Sequence, residues 1–197
     1  MQQAKANVNK ATTDDGTTPV CIAAKNDNVA SLEMLLAARG DVNRPTTDDR
    51  STPVYMAAQG NHAQVLKLLM KAKANVNGTL NRKQGGWTPL FVAAGFGHVN
   101  IVKLLLKHPA IHTSLVQKSV APRNFWGFTV PAGMTPLDIA QRCKRSPVVR
   151  MLLSSAASAV SKPRKATTSA SAASKHKAPA SLADDAIKRM RLHSASK

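Results

Sequence analysis

The sequence predicts an all-α repeat solenoid of about four helix-turn-helix units, followed by a disordered basic tail. Three observations carry this expectation. One phrase recurs four times: GTTPVCIAAKND at Gly16–Asp27, RSTPVYMAAQGN at Arg50–Asn61, GWTPLFVAAGFG at Gly86–Gly97 and GMTPLDIAQRCK at Gly133–Lys144. The first three copies are each followed by a second apolar segment, VASLEMLLA, AQVLKLLM and VNIVKLLLK. The Thr-Pro pairs start at Thr18, Thr52, Thr88 and Thr135, at intervals of 34, 36 and 47 residues, and near-constant spacing is the mark of a repeat array.

Each element has a local reason. A Thr side chain at the N-cap accepts from an orphan amide of the first helical turn, and Pro at the next position gives up an N–H that would be unpaired there anyway. Thr18-Pro19, Thr52-Pro53, Thr88-Pro89 and Thr135-Pro136 are therefore four helix starts. The Ala-Ala pairs at 23–24, 57–58 and 93–94 supply small side chains where a helix lies close to its neighbours. Asp27, Asn61 and Gly97 fall where these helices end in a left-handed turn, which Gly adopts freely and Asn or Asp tolerate; Lys144 fits that position poorly. The second segments repeat apolar residues at helical spacing, as in Val65, Leu66, Leu68 and Leu69, or Ile101, Val102, Leu104 and Leu105. Such a helix pair has too small a core to stand alone, so units must stack. After the second helices come KANVN at Lys73–Asn77 and GDVN at Gly40–Asn43, matching KANVN at Lys5–Asn9.

Taken together, the Thr-Pro phrase, the Ala-Ala pair and the Asn-Val-Asn tail resemble the ankyrin repeat, a unit of about 33 residues. The resemblance implies units joined by projecting β-turn fingers. It divides the chain into 1–15, the tail of an incomplete preceding repeat; 16–49; 50–85; 86–132, with a long insertion; 133–154, a short terminal repeat; and 155–197, the disordered Ser/Ala/Lys-rich tail. No helices precede Gly16, so either the sequence is a fragment of a longer array or the first inner helix is exposed. The family usually carries His after Thr-Pro-Leu, tying adjacent fingers; this chain has Cys21, Tyr55, Phe91 and Asp138 instead. His62 and His98 match the family's Gly-His at the start of the second helix and are read as structural.

The resemblance also implies where a partner binds: on the fingers and on the exposed face of the inner helices. The first two fingers carry TTDD and contribute Asp14, Asp15, Asp48 and Asp49. The third, GTLNRKQGG at Gly78–Gly86, is basic and glycine-rich. The residue before Thr-Pro and the two after Ala-Ala are the partner-facing positions of the pattern, namely Thr17, Lys25, Asn26, Ser51, Gln59, Gly60, Trp87, Gly95, Phe96, Met134, Arg142 and Cys143; Trp87 and Phe96 are the largest, and for these two the competing reading is packing against the insertion. The fourth finger lies in the insertion Ser114–Gly133, which holds Arg123, Phe125, Trp126 and Phe128; closely spaced aromatics beside Arg have the composition of an interaction hot spot, the competing reading being a loop that folds back over the third and fourth repeats.

The rest bounds function. The formal net charge is +18, which attracts nucleic acid, acidic proteins or anionic surfaces and says nothing of fold. Cys21 and Cys143 form no CxxC pair, arguing against a disulfide framework and for a reducing intracellular compartment, cytoplasmic or nuclear. No stretch has the length of a membrane span, and the start has no apolar leader segment. His108 and His112 have metal-pair spacing, but Pro109 lies between them and no third ligand is near. No nucleophile motif or phosphate loop occurs, so the expectation is a non-enzyme without cofactor or metal. The second helix of the last unit is expected at Ser146–Ser155. In the tail, Ser181 and Asp184 resemble a capping box for a short helix from Leu182 to about His193, formed on binding. The basic clusters at Lys162, Arg164 and Lys165 and at Lys188, Arg189 and Arg191 read as nuclear-import or nucleic-acid contacts, or as a solubilising tail. The functional expectation is a monomeric protein–protein interaction scaffold or adaptor. The alternatives are a basic nucleic-acid-associated or chromatin-associated adaptor, with weak nucleic-acid contact, and a regulatory fragment of a larger enzyme or ubiquitin-pathway protein.

Overall fold

The computed structural model describes residues 7–80, 85–111, 114–115, 117–120, 122–125 and 128–160. Four helices begin at the Thr-Pro pairs: α1 (Pro19–Lys25), α3 (Pro53–Gln59), α5 (Pro89–Phe96) and α7 (Pro136–Arg142). In each, the preceding Thr hydroxyl accepts from the amide three residues on: Cys21 at 3.2 Å, Tyr55 at 3.2 Å, Phe91 at 3.1 Å and Asp138 at 3.2 Å. At α7 the bond is reciprocated, since the Thr135 amide donates to the Asp138 carboxylate at 2.8 Å. Asp138, which stands where the family usually has His, thus completes a capping box.

Each of these helices turns into an outer partner: α2 (Val29–Ala37), α4 (Ala63–Lys71), α6 (Val99–Leu106) and α8 (Ser146–Val160). The turns pass through a left-handed residue at Asp27 (φ 53°), Asn61 (φ 62°), Gly97 (φ 82°) and Lys144 (φ 56°). Lys144 was expected to fit poorly, yet it takes the same conformation. The amide of the next residue, Arg145, donates to the Ala140 carbonyl at 2.8 Å, so the closing hydrogen bonds override the side-chain preference.

Inner helices pack in the order α1, α3, α5, α7, and outer helices in the order α2, α4, α6, α8. The Ala-Ala pairs are buried between the inner helices. Between the two rows runs one continuous core that includes Leu32, Leu66, Leu69, Ile101, Leu105 and Val148. The fold is an all-α stack in which each unit touches its neighbours.

Two further features depart from expectation. Helix α8 runs to Val160, past the expected end at Ser155. The SAASAV segment was read by composition as disordered, but Ala is the strongest helix former and extends a helix already nucleated by Val148 and Leu152 against the core. Within the insertion, β1 (Arg123–Phe125) and β2 (Phe128–Val130) form an antiparallel ribbon, with Arg123 opposite Val130 and Phe125 opposite Phe128. The disordered segment, the capping box, the short helix and the basic clusters Lys162, Arg164, Lys165, Lys188, Arg189 and Arg191 expected beyond residue 160 all lie outside the described residues.

Candidate protein-interaction surface

Three sets of hydrogen bonds cross the seams between units, two through side chains and one through the main chain. At the first, the His62 Nε2 lies 3.0 Å from the Lys25 carbonyl and the His98 Nε2 3.1 Å from the Gln59 carbonyl. In the last unit Arg145 replaces His, its Nε donating to the Gly95 carbonyl at 3.2 Å. Burial holds the His98 imidazole below its ordinary range, against the opposing pull of its bond to Gln59. The second ladder uses the repeated Asn: Asn9 and Asn43 side chains accept from the amides of Asp41 and Asn75, each at 2.7 Å. Asn77 continues it, donating to the Ala110 carbonyl at 2.7 Å and accepting from the Ser114 hydroxyl.

The third ladder is the finger layer. Each finger is closed by a backbone bond at its base: Thr12 to Thr17 at 2.9 Å, Thr46 to Ser51 at 3.0 Å, Leu80 to Trp87 at 3.1 Å and Ser119 to Met134 at 2.8 Å. The fourth finger thus lies in the insertion, lengthened and carrying the β1–β2 ribbon. Fingers are stitched to one another where the Thr47 amide donates to the Asp15 carbonyl and the Val120 amide to the Gly85 carbonyl, both at 2.8 Å. The bonds that join the fingers here are made by the main chain.

The geometry sorts the expected contact residues. In the first finger the Asp15 carboxylate accepts from the Thr12 hydroxyl at 2.6 Å and the Thr17 amide at 2.9 Å. Those two donors, Thr12 foremost, bring its pKa down to about 2. Asp49 repeats the arrangement with Thr46 at 2.7 Å and Ser51 at 2.8 Å. Its burial pushes the pKa up, and the hydrogen bonds outweigh it, so the net shift is downward. Asp15 and Asp49 are turned into their own fingers, while Asp14 and Asp48 are exposed beside them.

Residues preceding Thr-Pro point inward in the first three units: Thr17, Ser51 and Trp87 are buried. This corrects the expectation that Trp87 faces a partner. It is 1% exposed and stacked on Phe91 of α5, with ring centroids 5.2 Å apart, so the ring is taken up by packing against its own unit's inner helix. Phe96 is half-buried and lies flat on His98, with centroids 5.1 Å apart and planes at 6°. Lys25, Asn26, Gln59, Gly60 and Arg142 are exposed along the inner helices, whereas Gly95 is buried and Met134 and Cys143 are half-buried. The backbones of Arg123, Phe125 and Phe128 lie in the ribbon, and Trp126 lies outside the described residues.

Other groups are accounted for locally. Cys21 is buried with its thiol 3.5 Å from the Arg44 carbonyl, and burial pushes both its pKa and that of Cys143 up. The His108 Nδ1 accepts from the Ala110 amide at 3.2 Å, and His112 lies outside the described residues. At the outer side of the first unit Ile22 is 43% and Met34 68% exposed, beside a groove of about 610 Å³ also lined by Pro19, Ala23 and Leu35. Among the described residues no helix is long and apolar enough to cross a membrane.

A model of the family described as ankyrin repeats matches the sequence in three overlapping copies, at residues 1–79, 35–116 and 78–163. A comparison with curated proteins found none that matches. Repeats of this kind generally mediate protein–protein interaction and are typically non-catalytic. With capped helix pairs, stitched fingers and a family match that runs through all four units, the chain belongs to the ankyrin repeat family.

Proposed function

We propose that the chain is a non-catalytic interaction module that holds a partner protein against its fingers and the exposed side of its inner helices. The observation that supports this most is the hydrogen-bonded finger layer. Bonds within and between fingers fix the main chain before any partner arrives, so binding loses little conformational entropy. The contacts on this reading are the exposed Asp14 and Asp48 of the fingers, the exposed Lys25, Asn26 and Gln59 of the inner helices, and the half-buried Phe96. By composition, Arg123, Phe125, Trp126 and Phe128 of the insertion are added as contacts on this reading. On this reading the protein is a monomeric intracellular scaffold, working in the cytoplasm, the nucleus or both.

The test is affinity capture from nuclease-treated lysate with the full chain and a variant carrying Asp14→Lys, Asp48→Lys and Gln59→Arg. A discrete protein retained at high salt by the wild type and lost by the variant supports the reading. Equal retention by both excludes this surface. A second reading, a nucleic-acid-associated adaptor, is favoured by the distribution of charge: seven of the eight acids in residues 7–160 fall between Asp14 and Asp49.

A further inference from the structure

The outer helices form a surface distinct from the fingers. His62, His98 and Arg145 open α4, α6 and α8, and five residues after each stands a cation: Lys67, Lys103 and Arg150. One turn on, α4 adds Lys71, and Lys107 caps α6. All five are exposed, and none makes an ion pair within 4.0 Å among the described residues. Adjacent packed helices lie about 8–10 Å apart, so the row from Lys67 to Arg150 spans roughly 16–20 Å. Along each helix four residues advance about 6 Å.

Acids are scarce around it. Between Arg50 and Val160 the chain has fourteen lysines and arginines and one acid, Asp138, which is held in the α7 capping box. Of the elements packed against these helices, α3 and α5 carry no charge, and α2 contributes Glu33 at the equivalent position of the first unit. Helices α4, α6 and α8 contain neither an aromatic residue nor an acid. Between α6 and α8 runs a shallow groove of about 260 Å³, edged by Lys103 and Lys107.

We propose that this lattice of cations on α4, α6 and α8 binds the phosphate backbone of duplex nucleic acid. The inference rests on the second reading above and gives it a place on the fold. A single strand is held largely by stacking on aromatic rings, and none is present on these helices. A specific acidic peptide is anchored by a few buried side chains in a pocket, and this face has long, mobile amine heads instead. A duplex needs neither: it presents a negative charge about every 1.7 Å along its axis, and binding is driven by release of counterions.

The experiment is fluorescence anisotropy of a labelled DNA duplex of about two helical turns with the full chain, as KCl is raised from about 50 to about 200 mM. Three variants are compared: all five cations to Gln; the four lysines to Arg; and, as a tail control, Lys162, Arg164, Lys165, Lys188 and Arg191 to Gln. The five-Gln variant is expected to bind at least tenfold more weakly and to lower the slope of log K against log salt by about 4, since each phosphate neutralised contributes about 0.9. The Arg variant is expected to bind as the wild type does, and circular dichroism checks that each variant is folded. An unchanged affinity and slope in the five-Gln variant overturns the proposal. If the tail control then loses the duplex, the adaptor reading survives without this surface; if the wild type binds no duplex, both fail. Displacement of the duplex by an equal charge concentration of polyglutamate reassigns the surface to an acidic protein and also overturns it.

Discussion

Replacing Trp87 by Ala separates a packing residue from a contact residue. The ring is 1% exposed and stacked on Phe91. A tryptophan of this kind buries roughly 150–250 Å², which at about 25 cal/mol per Å² corresponds to roughly 4–6 kcal/mol, and core Trp→Ala truncations run at about 3–5 kcal/mol. For a chain of this size each kcal/mol moves Tm by about 2–4 °C, so a cost near 4 kcal/mol lowers it by roughly 8–16 °C. Thermal unfolding followed by circular dichroism reads this directly. A Trp126→Phe background isolates the Trp87 fluorescence, which should be blue-shifted in the native state and move to the red on melting. A fall in Tm below about 3 °C, or red-shifted native emission, would refute the burial argument.

Three further outcomes are expected. Gly85 has φ +88°, and a Cβ there would meet the Trp87 Nε1 at 2.6 Å, whereas at Gly97 (φ +82°) it would meet the flexible Cδ of Arg145 at 2.7 Å. Both Gly→Ala changes carry backbone strain of about 1–2 kcal/mol, and Gly85→Ala should cost more, measured by urea unfolding. Because the folded pKa of His98 lies below its ordinary value of 6.5, the unfolded chain takes up the proton more readily. Stability is therefore full above about pH 6.5 and falls as pH drops below it; Tm measured between about pH 7.5 and pH 5 should decline, with a shallower slope in His98→Gln. Arg145→Ala removes the bond to Gly95 and should cost about 1–2 kcal/mol, with amide exchange accelerating in α7 and α8 before α1 to α4.

Where the determinants are local, the fold was readable from residues alone. Thr at the N-cap and Pro after it act within four residues, and all four helix starts follow from them. The Thr12-x-x-Asp15 and Thr46-x-x-Asp49 spacings matched that of Thr135 and Asp138, a local signal that Asp15 and Asp49 are engaged in their own turns. Their charge was read as partner-facing instead. Burial of Trp87 is a tertiary property that the residue type at a finger base does not specify. The same holds for the Asn ladder, whose bonds join residues 32 apart. In the sequence Asn-Val-Asn appeared as a repeated tail without a role. The reach of α8 rests on the helix propensity of its alanines and on the packed turns that precede them, which an Ala/Ser-rich composition does not reveal.

The seam bonds made by His62, His98 and Arg145 close loops of 37, 39 and 50 residues. Closure entropy grows only with the logarithm of loop length, so the longer fourth finger adds about 0.3 kcal/mol to the closing of its seam. Chain length at that finger is thus nearly independent of the stability of the stack. The finger tip can be lengthened, shortened or exchanged for a foreign sequence while the helices keep their register, which makes it the point where new recognition can be grafted onto this scaffold.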